Sequence, residues 1–294
     1  MTLSGLLTPL THDPALRSAT EAARSGLRPR LDLTAVGGLR APAIASIAAA
    51  GPLVLAVTAT GRETEDLAAA LRSLLGDSAV AEFPSWETLP HERLSPRSDT
   101  VGRRLAVLRR LAHPEPDGRL RVVVAPIRSV LQPQVAGLGD LDPVRVTAGQ
   151  EIELDEVTRR LVDAAYLRTD LVEKRGDFAV RGGILDVFPP TEEHPLRLEF
   201  WGDTVEEIRY FKVADQRSLE VAQNGLWAPP CRELLLTESV RKRAHGYASE
   251  FPDLADVFGK IAEGIAVEGM ESLAPVLVDR MVPRSEERRG GKEC

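Results

Sequence analysis

From residue 34 to about 135, apolar and polar positions recur in an α/β rhythm. Residues 41–49 are small and helical in character, and residues 53–58 form a short apolar run that predicts a buried strand turning at Gly61. In residues 63–75 the apolar side chains fall at 67, 68, 71, 74 and 75, the spacing of an amphipathic helix. Residues 80–83 predict a second short strand, which runs into Pro84. Ser98, Asp99 and Thr100 offer capping side chains before a helix over 101–111. That helix is expected to bury Val101, Leu105, Leu108 and Leu111 and to expose Arg103, Arg104, Arg109 and Arg110. Residues 121–125 are Val-rich and apolar, as in a strand covered on both faces of a parallel sheet.

The rhythm changes after a Gly- and Pro-rich stretch at 132–150, which has the composition of a domain boundary. One helix is expected over 154–166, and then the alternation shortens to period two. Strands at 178–181 and 184–188 flank Gly182 and Gly183, and Pro189 and Pro190 stop the second. Residues 196–200 alternate, turn at Trp201, Gly202 and Asp203, and continue into 205–211 as a hairpin. From Leu226 the content is mixed again, with helices expected at 237–247 and 254–263. No internal repeat occurs. Residues 284–294 are charged, lack an apolar period and read as a non-native tail.

Composition narrows the class. The hydrophobic share is 43%, ordinary for a globular chain, and no run approaches the roughly 18 to 20 apolar residues of a membrane span. The first twenty residues carry His12, Asp13 and Arg17 without a signal-peptide pattern. The two cysteines, Cys231 and Cys294, have no CxxC partner or neighbouring His pair, so neither a disulfide framework nor a structural zinc is expected. The chain therefore reads as cytoplasmic, without a membrane partner. A net charge of −7 argues against a dedicated nucleic-acid binder.

Three segments carry candidate chemistry. The first follows the strand at 53–58, where a phosphate-binding P-loop would sit. Aligned to GxxxxGK[ST], the first Gly position is Ala56, the second is Gly61, the Lys position is Arg62 and the hydroxyl position is Glu63. A carboxylate there would repel phosphate rather than hold its magnesium. An inactive, degenerate nucleotide site and an ordinary βα turn both account for the segment. The second is the Pro-punctuated segment 83–96, whose Glu87, His91 and Glu92 are better read as solvated than as acid/base groups or metal ligands. The third comprises Arg168, Arg181, Arg197, Glu199 and Phe200, on or beside the alternating strands. They suit one solvated sheet face or a protein-binding face, since Arg and aromatics are favoured at interface hot spots. A DNA-binding face is weaker, because Glu199, Asp177 and Asp186 dilute the positive field. Cys231 follows Pro229 and Pro230 without a basic activator, as an unreactive thiol would.

Taken together and in order, these segments resemble a known family. FPSWETLPHERLSPRSDTVGRRLAVLRRL (83–111) resembles the first-domain signature of the transcription-repair coupling factor. FAVRGGILDVFPPTEEHPLRLEFWGDTVEEIRYFKVADQRS (178–218) resembles a second domain shared by that factor and the excision protein UvrB. The resemblance covers about residues 30–280. It implies a UvrB-shaped body with a lost P-loop and no room, after Ser98, Asp99 and Thr100, for the Tyr-rich hairpin with which UvrB grips DNA. It also implies that the second domain binds UvrA through Arg168, Arg181, Arg197 and Glu199, with Phe200 beside them. Ala179 stands where UvrB has a further arginine.

The expected fold class is thus α/β: a UvrB-like, degenerate P-loop, helicase-like parallel-sheet domain with an inserted small α+β, β-rich domain. The expected division is 1–135 first domain, 136–222 UvrA-binding domain, 223–282 return to the first domain and 283–294 tail. The expected role is recruitment of UvrA to RNA polymerase stalled at DNA damage, with no catalysis and no cofactor in this chain. The resemblance assigns polymerase, DNA, ATP and magnesium to absent parts of the family, an ATP-dependent DNA translocase. It also implies contact between the UvrA-binding face and a regulatory domain. The alternatives are a helicase-like NTP-binding module and a DNA-binding module using the Arg face of the 101–111 helix.

Overall fold

A computed structural model describes residues 3–10, 12–26, 30–89, 92–115 and 118–282. The chain divides into two compact units: residues 1–85 with 107–132, and residues 86–106 with 133–282. His91 and the 283–294 tail, both singled out in the sequence, lie outside the described residues.

The first unit is built on three parallel strands: β1 (Val54–Thr58), β2 (Val80–Glu82) and β3 (Val122–Pro126), in the order β1-β3-β2. β3 lies between the other two and is buried along its whole length, as its unbroken apolar run requires. The helix Gly61–Leu75 packs Leu67, Ala68, Leu71 and Leu74 onto the sheet, on the spacing read from the sequence. The helix Arg40–Ala49 adds Ala41, Ala45 and Ala48, whose short side chains let it approach closely.

The second unit holds the remaining strands. They are β4 (Gln134–Val135), β5 (Val144–Val146), β6 (Leu167–Arg168), β7 (Asp177–Arg181), β8 (Ile184–Val187) and β9 (Leu196–Trp201). They continue with β10 (Thr204–Phe211), β11 (Ser218–Val221), β12 (Leu226–Ala228) and β13 (Met281–Val282). β6 to β11 form a six-stranded sheet in the order β11-β10-β9-β8-β7-β6, antiparallel except where β6 runs parallel to β7. One face of this sheet supplies Phe178, Leu185, Val187, Leu196, Leu198, Val205 and Ile208 to a core completed by Val157 and Leu161 of the helix Leu154–Asp163. That helix stops three residues short of the expected end. Ala165 adopts a left-handed conformation and Tyr166 turns inward, its hydroxyl donating to the Pro229 carbonyl at 2.9 Å.

The second unit departs from the sequence-based division. Residues 223–282 share a unit with 133–222 and also with 86–106, a stretch that the sequence-based division places in the first domain. Two contacts explain this: β12 pairs antiparallel with β5, and the Cys231 amide donates to the Ala164 carbonyl at 2.9 Å. Further along, the helices Glu238–Glu250 and Ala255–Ala262 close a separate core around Phe258, Ile261, Met270 and Leu277.

Cys231 lies inside the sheet core. Burial pushes its thiol well above the usual range, and also raises the neighbouring Tyr166 hydroxyl. At pH 8 the folded chain should therefore carry almost no thiolate at this position. Alkylation by iodoacetamide should leave Cys231 unmodified until denaturant is added. Peptide mapping separates it from Cys294, and rapid labelling of native Cys231 would contradict its placement.

Candidate functional site

The second face of the six-stranded sheet is set by strand alternation. Because Leu196 and Leu198 point into the core, Arg197, Glu199 and Trp201 point away from it. The cross-strand register extends this outer face. Arg181 pairs with Ile184, Ile184 with Glu199 and Glu199 with Glu207, while Ala179, Asp186, Arg197 and Arg209 make the next row. Three arginines and three carboxylates therefore interleave in two rows, and the face has no net positive field of the kind DNA binding needs.

Within that face the charged groups are not equivalent. Arg197 forms a bidentate pair with Asp186, Nε to Oδ1 at 2.7 Å and Nη2 to Oδ2 at 2.8 Å, and its guanidinium lies 4.7 Å from the Phe211 ring centroid. The side chains are 18% and 4% exposed, so this is a mostly desolvated pair. The hydrogen bonds to Asp186 raise the Arg197 pKa and keep it charged. Arg209 bonds Glu207 at 2.6 Å and holds that carboxyl below its usual range. Arg181 is exposed; one Nη2 donates to the Asp170 carbonyl at 2.7 Å, leaving most of its donor fork open. Glu199 is exposed and has no side-chain hydrogen bond or ion pair among the described residues.

The other two sequence candidates fall on the opposite phase. Phe200 pairs with Val205 and packs against the core beneath the sheet. Arg168, exposed on the edge strand β6, is in register with the core residue Phe178. Alternation brings Arg181, Arg197 and Glu199 together and separates them from Phe200 and Arg168. Asp177, counted in the sequence among the charges that dilute a positive field, is buried and accepts from the amides of Glu173 and Lys174 at 3.2 and 2.8 Å.

The P-loop-like segment is a short, self-capped βα turn. Ala56 lies within β1, in register with Val124, so the first position of the aligned motif is strand rather than loop. Only Ala59 and Thr60 separate β1 from the helix that begins at Gly61. Thr60 Oγ1 accepts from the Glu63 amide at 3.2 Å, and Glu63 Oε2 accepts from the Ala59 amide at 3.2 Å. Thr60 thus caps the helix, and Glu63 reaches back to the amide just before the cap, so its carboxylate lies against the turn. Arg62 is exposed beside it.

The segment 83–96 and the helix after it are corrected most. Arg104, expected on a solvated arginine face, is 0% exposed, and its Nε donates to Glu233 Oε1 at 2.5 Å. Trp86 Nε1 donates to the same carboxylate oxygen at 3.1 Å, and the Arg104 guanidinium lies 5.8 Å from the Trp86 ring centroid. Arg110 is also tied down, donating to the Ser78 and Gly118 carbonyls. Glu87 and Glu92 are exposed, as the sequence reading has them, and accept from the amides of Arg97 and Leu89 at 2.7 and 2.6 Å. Ser95 Oγ donates to Glu271 Oε2 at 2.7 Å, and Arg232 donates to Glu271 Oε1 at 2.7 Å. The signal for Arg104 was in the sequence: residues 101, 104, 105 and 108 share one helical face, and Val101, Leu105 and Leu108 are buried on it.

Comparisons with known proteins agree with this geometry. The family model of the UvrB interaction domain matches residues 144–229, which run from the first residue of β5 to just beyond β12, the two strands whose pairing closes the domain. The chain is 54% identical over 268 residues to the transcription-repair-coupling factor of Mycobacterium bovis, covering 86% of this chain and 22% of that protein. It is 35% identical over 256 residues to the corresponding factor of Myxococcus xanthus, covering 81% of this chain and 20% of that protein. The UvrABC system protein B of Streptomyces avermitilis is 34% identical over 158 residues, 48% of this chain and 21% of that protein.

The sheet and its closure thus define a UvrB-interaction-domain protein. The chain belongs to the transcription-repair-coupling factor family and spans about a fifth of the length of these relatives. Among the described residues, no helix is long and apolar enough to cross a membrane.

Proposed function

We propose that this chain is the adaptor module of a transcription-repair coupling factor, and that its 144–229 domain docks UvrA on the outer face of the six-stranded sheet. The observation that carries the reading is an exposed, largely uncommitted Arg181 fork in the same row as an exposed Glu199, which has no ion pair or side-chain hydrogen bond among the described residues. A guanidinium fork suits a partner carboxylate, and Glu199 can accept from a partner arginine. Arg168, exposed on the edge strand β6 in the opposite phase, is left out of this docking surface. In this role the module recruits UvrA to RNA polymerase stalled at damaged DNA. Polymerase, DNA, ATP hydrolysis and contact with a regulatory domain belong to parts of the family that this chain does not span. No catalysis is assigned to the chain itself, because the capping box of Thr60 and Glu63 occupies the turn a nucleotide would need.

Calorimetric titration of the purified chain with UvrA tests the proposal. Arg181→Glu, which reverses a charge without disturbing a buried partner, should weaken binding by about tenfold or more. Equal affinity of parent and variant would remove the sheet face from the interface. No binding by the folded parent would remove the adaptor role itself.

A further inference from the structure

Trp201 is 77% exposed, and nothing in its own domain accounts for the ring's position. It shares the outer phase of β9 with Arg197 and Glu199 and pairs with Thr204 across a two-residue turn. Gly202 supplies the left-handed conformation that the turn requires, with φ of 59°. On the other flank stand Gly182 and Gly183, which carry no side chain to cover the indole. Gly182, opposite Trp201 in the strand register, has a φ of 59°, and a Cβ there would meet nothing within 4 Å, so that flank of the indole is bare.

The turn is also held from outside the hairpin. The Ile152 amide donates to the Asp203 carbonyl at 2.7 Å, the Val205 amide to Gln150 at 3.0 Å, and the Gly149 amide to Val205 at 2.7 Å. Glu151 forms a further bridge with Thr204. The indole therefore stands on a held platform, with Thr204 on one flank and the bare Gly182 on the other. It leaves on the order of 150 Å² of aromatic surface in water. Ile184, also exposed, lies between Arg181 and Glu199 in the adjoining row, so the apolar surface is continuous with the charged groups.

We infer that Trp201 is the aromatic anchor of the partner interface, inserting into an apolar pocket of UvrA flanked by groups complementary to Arg181 and Glu199. This rests on the proposed docking of UvrA to the same face, and it moves the aromatic contact from Phe200, which packs on the core, to its neighbour. Tryptophan and arginine carry a disproportionate share of interface energy, and a backbone turn already held before binding loses little freedom on association.

Trp201→Ala should leave the thermal transition of the free chain unchanged and weaken UvrA binding at least about thirtyfold. Phe200→Leu should lower the thermal transition while leaving UvrA affinity within about threefold. In acrylamide quenching, the parent should lose its most accessible tryptophan emission on adding UvrA, and Trp201→Phe should remove that component. Full affinity in Trp201→Ala, with Arg181→Glu still impaired, would overturn the anchor and leave the docking face standing. No binding by the parent would overturn both. Self-association of the parent that is abolished by Trp201→Ala would assign the indole to a second copy of the chain and overturn the inference.

Discussion

Arg104→Ala is expected to destabilise the unit formed by residues 86–106 and 133–282 by about 3 to 5 kcal/mol, a fall in Tm of about 6 to 20 °C. The substitution removes the charge that faces Glu233 across 129 positions of sequence, in a place where neither side chain is hydrated. Among the described residues, the carboxylate would then keep Trp86 Nε1 as its one side-chain donor while still buried. Breaking such a pair costs far more than the pair itself contributes, because the remaining ion must be desolvated alone. The double variant Arg104→Met with Glu233→Gln should recover most of the loss, since the new side-chain amide still accepts from Trp86 and no ion is left buried. Urea unfolding of the single and double variants measures this. If Arg104→Ala matched the parent, the helix face carrying Arg104 would be solvated after all.

Arg197→Ala is the second large effect, expected at about 3 kcal/mol, the lower end of the buried-pair range, because the guanidinium keeps some water contact. Its loss strands Asp186 inside the sheet and removes the cation from the Phe211 ring. This bears directly on function. Loss of UvrA binding in Arg197→Ala would report unfolding as readily as a lost contact, whereas Arg181 and Glu199 have no buried ionic partner to strand. Thermal denaturation followed by circular dichroism should show the fall for Arg197→Ala and little change for Arg181→Glu. A parent-like transition in Arg197→Ala would show that the pair contributes nothing, and Arg197 would then serve as a direct probe of the interface.

The outer face of the six-stranded sheet was readable in part. Alternation at 196–201 already separates Leu196, Leu198 and Phe200 from Arg197, Glu199 and Trp201. Grouping Phe200 with the arginines overlooked that phase, whereas the structure follows it. Arg168 could not be phased, because β6 has only two residues and its register depends on parallel pairing with β7. The distinction between Arg197, committed to Asp186, and Arg181, available to a partner, depends on neighbours brought together by the β8–β9 pairing. The turn at Thr60 was legible as helix-start chemistry, since Thr60 and Glu63 have capping-box spacing.

By itself the sequence determined whatever depends on neighbours within a few residues. It set the amphipathic helix at Gly61–Leu75 with its Thr60 cap, the buried β3 and the β9–β10 hairpin at Gly202. Period, capping and turn geometry are short-range, and residue identity decides them. Only the tertiary structure decided which distant groups meet. β5 pairs with β12, Glu233 reaches Arg104 and Trp86, Glu271 reaches Ser95, and residues 223–282 join the second unit rather than the first. The physical reason is that loop closure costs grow only slowly with chain length. The burial of an arginine or a carboxylate is therefore governed by where its counter-ion lands, and local sequence does not encode that.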